Sequence, residues 1–184
     1  KAQTGAKKLS VMGIGGSKHT VEHMLSINGL NIKQDVVEFY SDVDSASLER
    51  FLYRLENNVL ESNFMIASKS GSTFETKDGF LRVLQMLKDA YTAQGKSAEE
   101  ADKAAHKHFI AVTDANAEKS ELRRTSIEKG WLGDLFIHDD VGGRFSAFDD
   151  HALFTLAYAG MKKEDMISML NACLLYTSDA ADEL

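Results

Sequence analysis

"NFMIASKSGSTFET", Asn63 to Thr76, is the stretch from which the rest of the chain can be read. Asn63–Ala67 is a short apolar run of the kind that makes a buried strand. Ser68–Thr76 then brings three serines, two threonines, one lysine and one glycine. A helical pattern follows from about Thr73, with Phe80, Leu84 and Leu87 on one stripe. The order is therefore strand, hydroxyl-rich turn, helix. Ser and Thr favour loops and cap helices, so Ser72 or Thr73 is a candidate cap, with Glu75 or Thr76 in the first turn. The same hydroxyls, with the unpaired amides of a helix N-terminus, also suit a phosphate dianion. Each hydrogen bond to such a charged group contributes roughly 1.5–3 kcal/mol, and the helix dipole roughly 0.3–1 kcal/mol more. Lys69 adds a point charge that demands no planar geometry. Capping and anion binding draw on the same amides, so both readings can hold together.

Working outward, apolar runs alternate with helical patterns along the whole chain. "LSVMGIGG" (Leu9–Gly16) is a strand ending in glycines, and Lys18–Ile27 reads as a helix. Asp35–Tyr40 is β-rich, and Ser45–Asn57 is helical with Leu48, Phe51, Leu52 and Leu55 in phase. The helix from Thr73 extends or breaks around Gly95, and Ser97–His108 is polar and helix-prone. Phe109–Asp114 is a strand, Ser120–Gly130 a helix, and Gly133–Asp139 a strand. "VGGRFS" (Val141–Ser146) leads into a last helical region from Phe148 to about Asn171. Five apolar runs with helices between them predict an α/β fold, a parallel sheet covered on both faces. Such sheets bind ligands at the carboxyl ends of their strands, where the strand order reverses.

Composition narrows the function. The 184 residues are 43% hydrophobic and 27% charged, with a net charge of −7. An acidic chain of this kind is a poor binder of nucleic acid or anionic membrane, so an anion site must be built locally. No apolar run approaches the roughly 18 residues of a membrane span, and "KAQTGAKKLS" lacks the core of a signal peptide. The single cysteine cannot form an internal disulfide, which points to a reducing, cytoplasmic setting.

Two further strand exits stand out. In "GIGGS" (Gly13–Ser17) three glycines permit close backbone approach to a ligand before a helix N-terminus. The competing readings are a plain tight turn or a dinucleotide loop, the latter disfavoured because Lys18 stands where G-x-G-x-x-G needs its last glycine; a Walker A loop is absent. In "VGGRFS", Gly142 and Gly143 precede Arg144, with Asp139 and Asp140 behind. Alone, that arginine reads as half of a surface ion pair; as the third unusual exit on one sheet edge, it reads as part of a site.

Together, "GIGGS", "SKSGSTFET" and "VGGRFS" closely resemble the N-terminal sugar-isomerase (SIS) domain of the glucose-6-phosphate isomerase family, from about Ser10 to Ala172. The resemblance implies a three-layer sandwich around a five-stranded parallel sheet, flavodoxin-like and doubly wound, for residues 1–172. It implies that Ser68, Lys69, Ser70 and Thr73, with Gly71 and Ser72 between them, bind the phosphate, and that Thr76 adds a further hydroxyl. Gly16 and Ser17 match the loop facing the sugar. Gly143 and Arg144 match the loop beside the reacting carbons, where the arginine stabilises negative charge on an enediolate. The implied reaction is aldose–ketose isomerisation of glucose 6-phosphate and fructose 6-phosphate, shared by glycolysis and gluconeogenesis, without metal or organic cofactor. The family forms homodimers, an assembly the resemblance does not extend to a fragment.

Departures limit what carries over. The family's general base, a glutamate, lies in a second SIS domain, and its ring-opening histidine and C-terminal lysine also lie downstream; none of those motifs is present. The expected chain is thus a phosphate clamp plus Arg144 without turnover, and the competing reading is a non-catalytic module that senses phosphosugars. After "VGGRFS" the family continues with small or apolar residues and prolines, whereas this chain has "AFDDHALFT" with Asp149 and Asp150. "CLLYTSDAADE" (Cys173–Glu183) resembles a translated sequencing adapter, so residues 173–184 are expected to be a non-native tail. Finally, "HTVEH" (His19–His23) spells the inverted zinc-protease motif, but on a helix that should cover a sheet and without a third ligand; His106, His108, His138 and His151 show no ligand spacing.

Overall fold

The computed structural model describes residues 5–13, 16–26, 32–40, 44–138 and 143–182, with the side chains of 16, 17, 34, 45, 143–145 and 176–182 outside the description. Five strands, β1 (Lys8–Met12), β2 (Val37–Tyr40), β3 (Ser62–Ala67), β4 (Phe109–Thr113) and β5 (Gly133–Phe136), form one sheet in the order β2-β1-β3-β4-β5. All four pairings are parallel; Leu9 of β1 lies between Val37 and Asn63, and Phe64 of β3 beside Phe109 of β4. The α/β sandwich expected from the alternating pattern is the observed fold.

Alternation along the strands explains why both faces need helices. Phe64 and Ile66 of β3, with Phe109 and Ala111 of β4, join one core with Leu48 and Phe51 of α2 (Ser45–Leu55) and Val83 and Leu87 of α3 (Phe74–Ala93). Ala105 of α4 (Ala98–His106) and Leu122 of α5 (Glu121–Lys129) complete that face. The intervening Met65, Ile110 and Val112 face the other way, with Leu9 and Val11 of β1. That side is covered by α1 (Gly16–Leu25) and α6 (Asp150–Tyr158), which meet through Val21, Met24, Ala152 and Leu156. Each fully buried aromatic or aliphatic side chain contributes roughly 1.5–3 kcal/mol, which is why the central strands read as unbroken apolar runs.

Helix boundaries follow local chemistry. Ser97 and Glu100 form a reciprocal capping box ahead of α4. Asp44 accepts from Ser47 N at the start of α2, and Gly130 ends α5 in the left-handed region. One expectation is corrected. The last helical region is not continuous to Asn171: a 3-10 turn (Gly143–Phe148) and α6 are followed by a break at Gly160, φ +103°, before α7 (Lys163–Asp182). The apolar spacing runs through the break because Met161, Met166 and Met169 still pack on the same cluster. Residues 171–175 of α7 are exposed. Among the described residues no helix is long and apolar enough to cross a membrane.

Candidate functional site

With β1 flanked by β2 and β3, the strand order reverses between β1 and β3, and their carboxyl ends mark the place where sheets of this kind bind ligands. The two exits touch there. A Cβ at Gly13 would sit 2.8 Å from Ala67 Cβ and 3.2 Å from its carbonyl oxygen. A side chain at Gly13 would wedge the exits apart, so glycine here serves close approach. From Gly13 the chain leads to α1, whose backbone begins at Gly16; Ile14 and Gly15 lie outside the described residues, as do the side chains at 16 and 17.

The hydroxyl loop after β3 is held from both sides. Ser68 is buried, and its Oγ accepts from Gly71 N at 3.1 Å and lies 3.1 Å from Thr73 Oγ1. Ser70 Oγ accepts from Ser72 N at 3.2 Å and lies 2.6 Å from Ser72 Oγ. The loop carbonyls are used elsewhere. Lys69 O accepts from Asp114 N (3.2 Å) and Thr113 Oγ1 (2.9 Å), and Ser70 O from Glu121 N (3.0 Å). In a planar trans peptide the N–H points opposite to its C=O, so tying the Lys69 carbonyl to β4 turns the Ser70 amide away from it. Ser120, fully buried, secures this dock: its Oγ is 2.5 Å from Thr113 Oγ1 and accepts from Arg123 N, capping α5. Lys77 of α3 and Glu121 of α5 add an ion pair at 2.8 Å across the loop, and the ammonium holds the Glu121 carboxyl below its ordinary range.

Thr73 occupies the N-cap position of α3 but makes no capping bond with its side chain. Its hydroxyl is turned to Ser68 instead, so the first-turn amides receive no cap from it. The capping alternative for Thr73 is therefore not what the geometry shows. Thr76, one turn on, is buried, and its Oγ1 has no hydrogen-bond partner among the described residues. It opens on a small pocket with Ser68, Gly71 and Leu122, of about 40 Å³, room for water rather than for a sugar. Lys69, Ser70 and Ser72 are exposed to solvent and do not line that pocket.

The third exit reaches the first through helix packing: the 3-10 turn Gly143–Phe148, whose backbone carries Gly143 and Arg144, packs along α1. Val141, Gly142, Asp139 and Asp140 lie outside the described residues, and so does the Arg144 side chain. The structure therefore brings Ser68, Ser70, Gly71, Ser72 and Thr73 into one hydrogen-bonded loop, with Thr76 beneath it. It sets the backbones at Gly16 and Gly143 on elements that pack against one another. Sequence reasoning missed Thr113, Asp114, Ser120 and Glu121, which hold the loop from behind. The signal was present in "TDANAEKS", a fourth polar exit, after β4. His19 and His23 are exposed, His19 Nδ1 lies 3.6 Å from Glu22, and no group of His, Cys, Asp or Glu among the described residues could hold a metal ion.

Comparison with known proteins decides the family. The model of the family described as phosphoglucose isomerase matches residues 1–167. This chain belongs to the phosphoglucose isomerase family. Its relatives include a glucose-6-phosphate isomerase from a Cyanothece species, 30% identical over 71% of this chain and 22% of that protein. Another, from Geotalea daltonii, is 28% identical over 92% of this chain and 29% of its own length. Among solved structures, a hypothetical protein from Thermus thermophilus superposes with a TM-score of 0.69 at 25% identity, over 88% of this chain and 35% of that one. A glucose-6-phosphate isomerase from Chlamydia trachomatis shares the fold at a TM-score of 0.63 and 24% identity, over 86% of this chain and 27% of its own. The chain thus spans 22% and 29% of the length of these two curated relatives.

Proposed function

We propose that this chain is the phosphosugar-binding SIS domain of a glucose-6-phosphate isomerase, formed by residues 1–172. The observation that carries the proposal is the hydroxyl loop at the β1/β3 switch: its carbonyls are tied back to β4 and α5, and Thr73 leaves the α3 amides uncapped. A phosphate seated there takes charge-assisted bonds from the loop hydroxyls and from amides other than those of Ser68, Gly71 and Ser72, which donate to Val112 O, Ser68 Oγ and Ser70 Oγ, with Lys69 as counter-charge and Thr76 supplying the deeper hydroxyl. That grip on a remote group orients the reacting carbons toward the turns at Gly16–Ser17 and Gly143–Arg144. Isomerisation moves a proton between C2 and C1, and Arg144 stabilises the enediolate formed between them. The carboxylate that carries the proton belongs to the part of the isomerase outside this chain.

The chain is accordingly expected to bind fructose 6-phosphate and to show no turnover in a coupled assay. Calorimetric titration checks the binding: Lys69→Ala should weaken fructose 6-phosphate about tenfold, one charged hydrogen bond, and leave free fructose unchanged. Equal losses for both sugars would remove the clamp, and full turnover would remove the missing-base argument. Binding without turnover fits the isomerase domain and the sensing module alike; isomerisation regained on adding the remaining domain separates them.

We further propose that residues 173–184 contribute nothing to this fold. Cys173, Leu174 and Leu175 are exposed on α7. Deleting 173–184 should leave the thermal midpoint within about 2 °C, a ΔΔG below roughly 0.5 kcal/mol for a domain of this size; a drop of about 5 °C or more would show that the tail packs.

A further inference from the structure

We propose that His138 and Asp149 form a positioning pair that sets the arginine-bearing turn against the site; this rests on the function proposed above. His138 follows β5 closely, and Asp149 stands between the 3-10 turn Gly143–Phe148 and α6. Their side chains meet with His138 Nε2 3.8 Å from Asp149 Oδ1. The contact joins the two ends of the connection that carries Gly143 and Arg144.

Three features make this more than a surface ion pair. The Asp149 side chain is only 6% exposed, while that of His138 is 66% exposed. A carboxylate taken out of water costs several kcal/mol unless charge and hydrogen bonds compensate it. The usual compensation at a helix start would be a bond to the amides of α6, yet Asp149 occupies the N-cap position and makes no such bond. Its Oδ2 is buried with no hydrogen-bond partner among the described residues. The carboxylate is thus neither solvated nor spent on the helix; it is committed to the end of the turn.

The backbone around it is fixed. Asp149 N donates to Ser146 O at 3.1 Å, and Asp149 O accepts from Ala152 N and Leu153 N. Ser146 is buried, and its Oγ lies 3.5 Å from Nε2 of the buried His151. The far end of the turn is therefore anchored in α6, and its flank rests on α1. Among the described residues, the end at His138 is held by Ile137 N donating to Thr113 O and by the contact with Asp149. Breaking that contact leaves that end with only the Ile137 N–Thr113 O bond and the packing of Ile137 to hold it, without touching the hydroxyl loop. An aspartate buried at this hinge therefore acts through the backbone that carries Arg144 rather than on the ligand.

The test uses the whole chain with Asp149→Asn, His138→Gln, both together, and His138→Lys. Fructose 6-phosphate and inorganic phosphate are titrated calorimetrically. Each single replacement should weaken fructose 6-phosphate about five- to twentyfold while changing inorganic phosphate less than about twofold. The double variant should be no weaker than either single, and His138→Lys should stay near wild type. Equal losses for both ligands, no loss for either, or additive losses in the double variant would overturn the pair. A second readout needs no ligand: trypsin cleavage after Arg144, followed by mass spectrometry, should run several-fold faster in Asp149→Asn. Unchanged cleavage there would overturn the pair on its own. Absence of fructose 6-phosphate binding by the wild-type chain, with faster cleavage in the variant, would instead remove the functional reading and leave the pair standing.

Discussion

Replacing Gly71 with alanine should destabilise this domain by about 2–5 kcal/mol and remove most of its affinity for phosphate-bearing ligands. Two independent costs meet at this residue. Its φ is +79°, a conformation that L side chains adopt only with strain. An added Cβ would also lie 2.4 Å from Leu122 N and 2.9 Å from Leu122 Cβ, in the first turn of α5. Backbone cannot move aside as a flexible side-chain end can, so the loop must lift. Lifting it breaks Glu121 N to Ser70 O and Gly71 N to Ser68 Oγ, the bonds that shape the candidate anion seat. Gly95 provides the control, because its φ is +89° and nothing lies within 4 Å of its Cβ position. Gly95→Ala should therefore show the strain alone, roughly 1–2 kcal/mol. Urea unfolding of the two variants, with phosphate titration of each, checks this. Equal destabilisation at both positions would mean that the close approach to α5 carries no weight.

That contrast shows what the chain discloses before it is folded. The strand–loop–helix order around Asn63–Thr76 is legible because burial on both faces demands an unbroken apolar run, and the hydroxyl cluster interrupts it abruptly. Gly71 could be recognised as a turn residue, but not as the point where the loop meets α5, since that depends on β4 lying beside β3. The same holds for Thr113, Asp114, Ser120 and Glu121: they support the loop from some 44 to 51 residues further along the chain, a relation that no local periodicity encodes. The break at Gly160 was hidden for the opposite reason. Apolar spacing continues through it because α6 and α7 feed one cluster, and an isolated glycine inside a helical pattern can be tolerated without ending it. Asp149 shows a third kind of limit. The sequence shows two aspartates near the head of the last helical region, but whether the Asp149 carboxylate caps a helix there or turns away is decided by burial.

Lowering the pH from about 7.5 to about 5 should destabilise the fold through two buried histidines far from the anion loop. His106 and His108 flank the start of β4, and both are buried, at 4% and 0% exposure. Burial pushes the His106 imidazole down, with Asp102 pulling it partly back and Lys129 and Lys88 adding to the depression. Burial likewise lowers His108, opposed by its bond to the Ser62 carbonyl. The hydrogen bonds assign the neutral tautomers. Trp131 Nε1 donates to His106 Nδ1 at 3.0 Å, so the His106 proton is on Nε2, facing Asp102 at 3.8 Å. His108 Nδ1 donates to Ser62 O at 2.7 Å, and Tyr91 Oη donates to Nε2 at 2.7 Å. Protonating His108 asks only that the tyrosine hydroxyl rotate to accept. Protonating His106 sets an N–H against an indole that can only donate, and Trp131 packs on Phe80 and Phe109 in the main core. Because both folded values lie below the unfolded value of about 6.5, the unfolded chain binds more protons in the window beneath it. Stability should be constant above roughly pH 7 and fall as pH drops through about 6.5, by at most about 1.4 kcal/mol per pH unit for each histidine. Urea unfolding followed by the fluorescence of Trp131, the only tryptophan, measures it. His106→Gln preserves an acceptor for the indole and His108→Gln an uncharged side chain, so the double variant should lose most of that slope between about pH 6.5 and 5. A slope unchanged in the double variant would place the acid sensitivity in other groups and leave these two rings with a packing role alone.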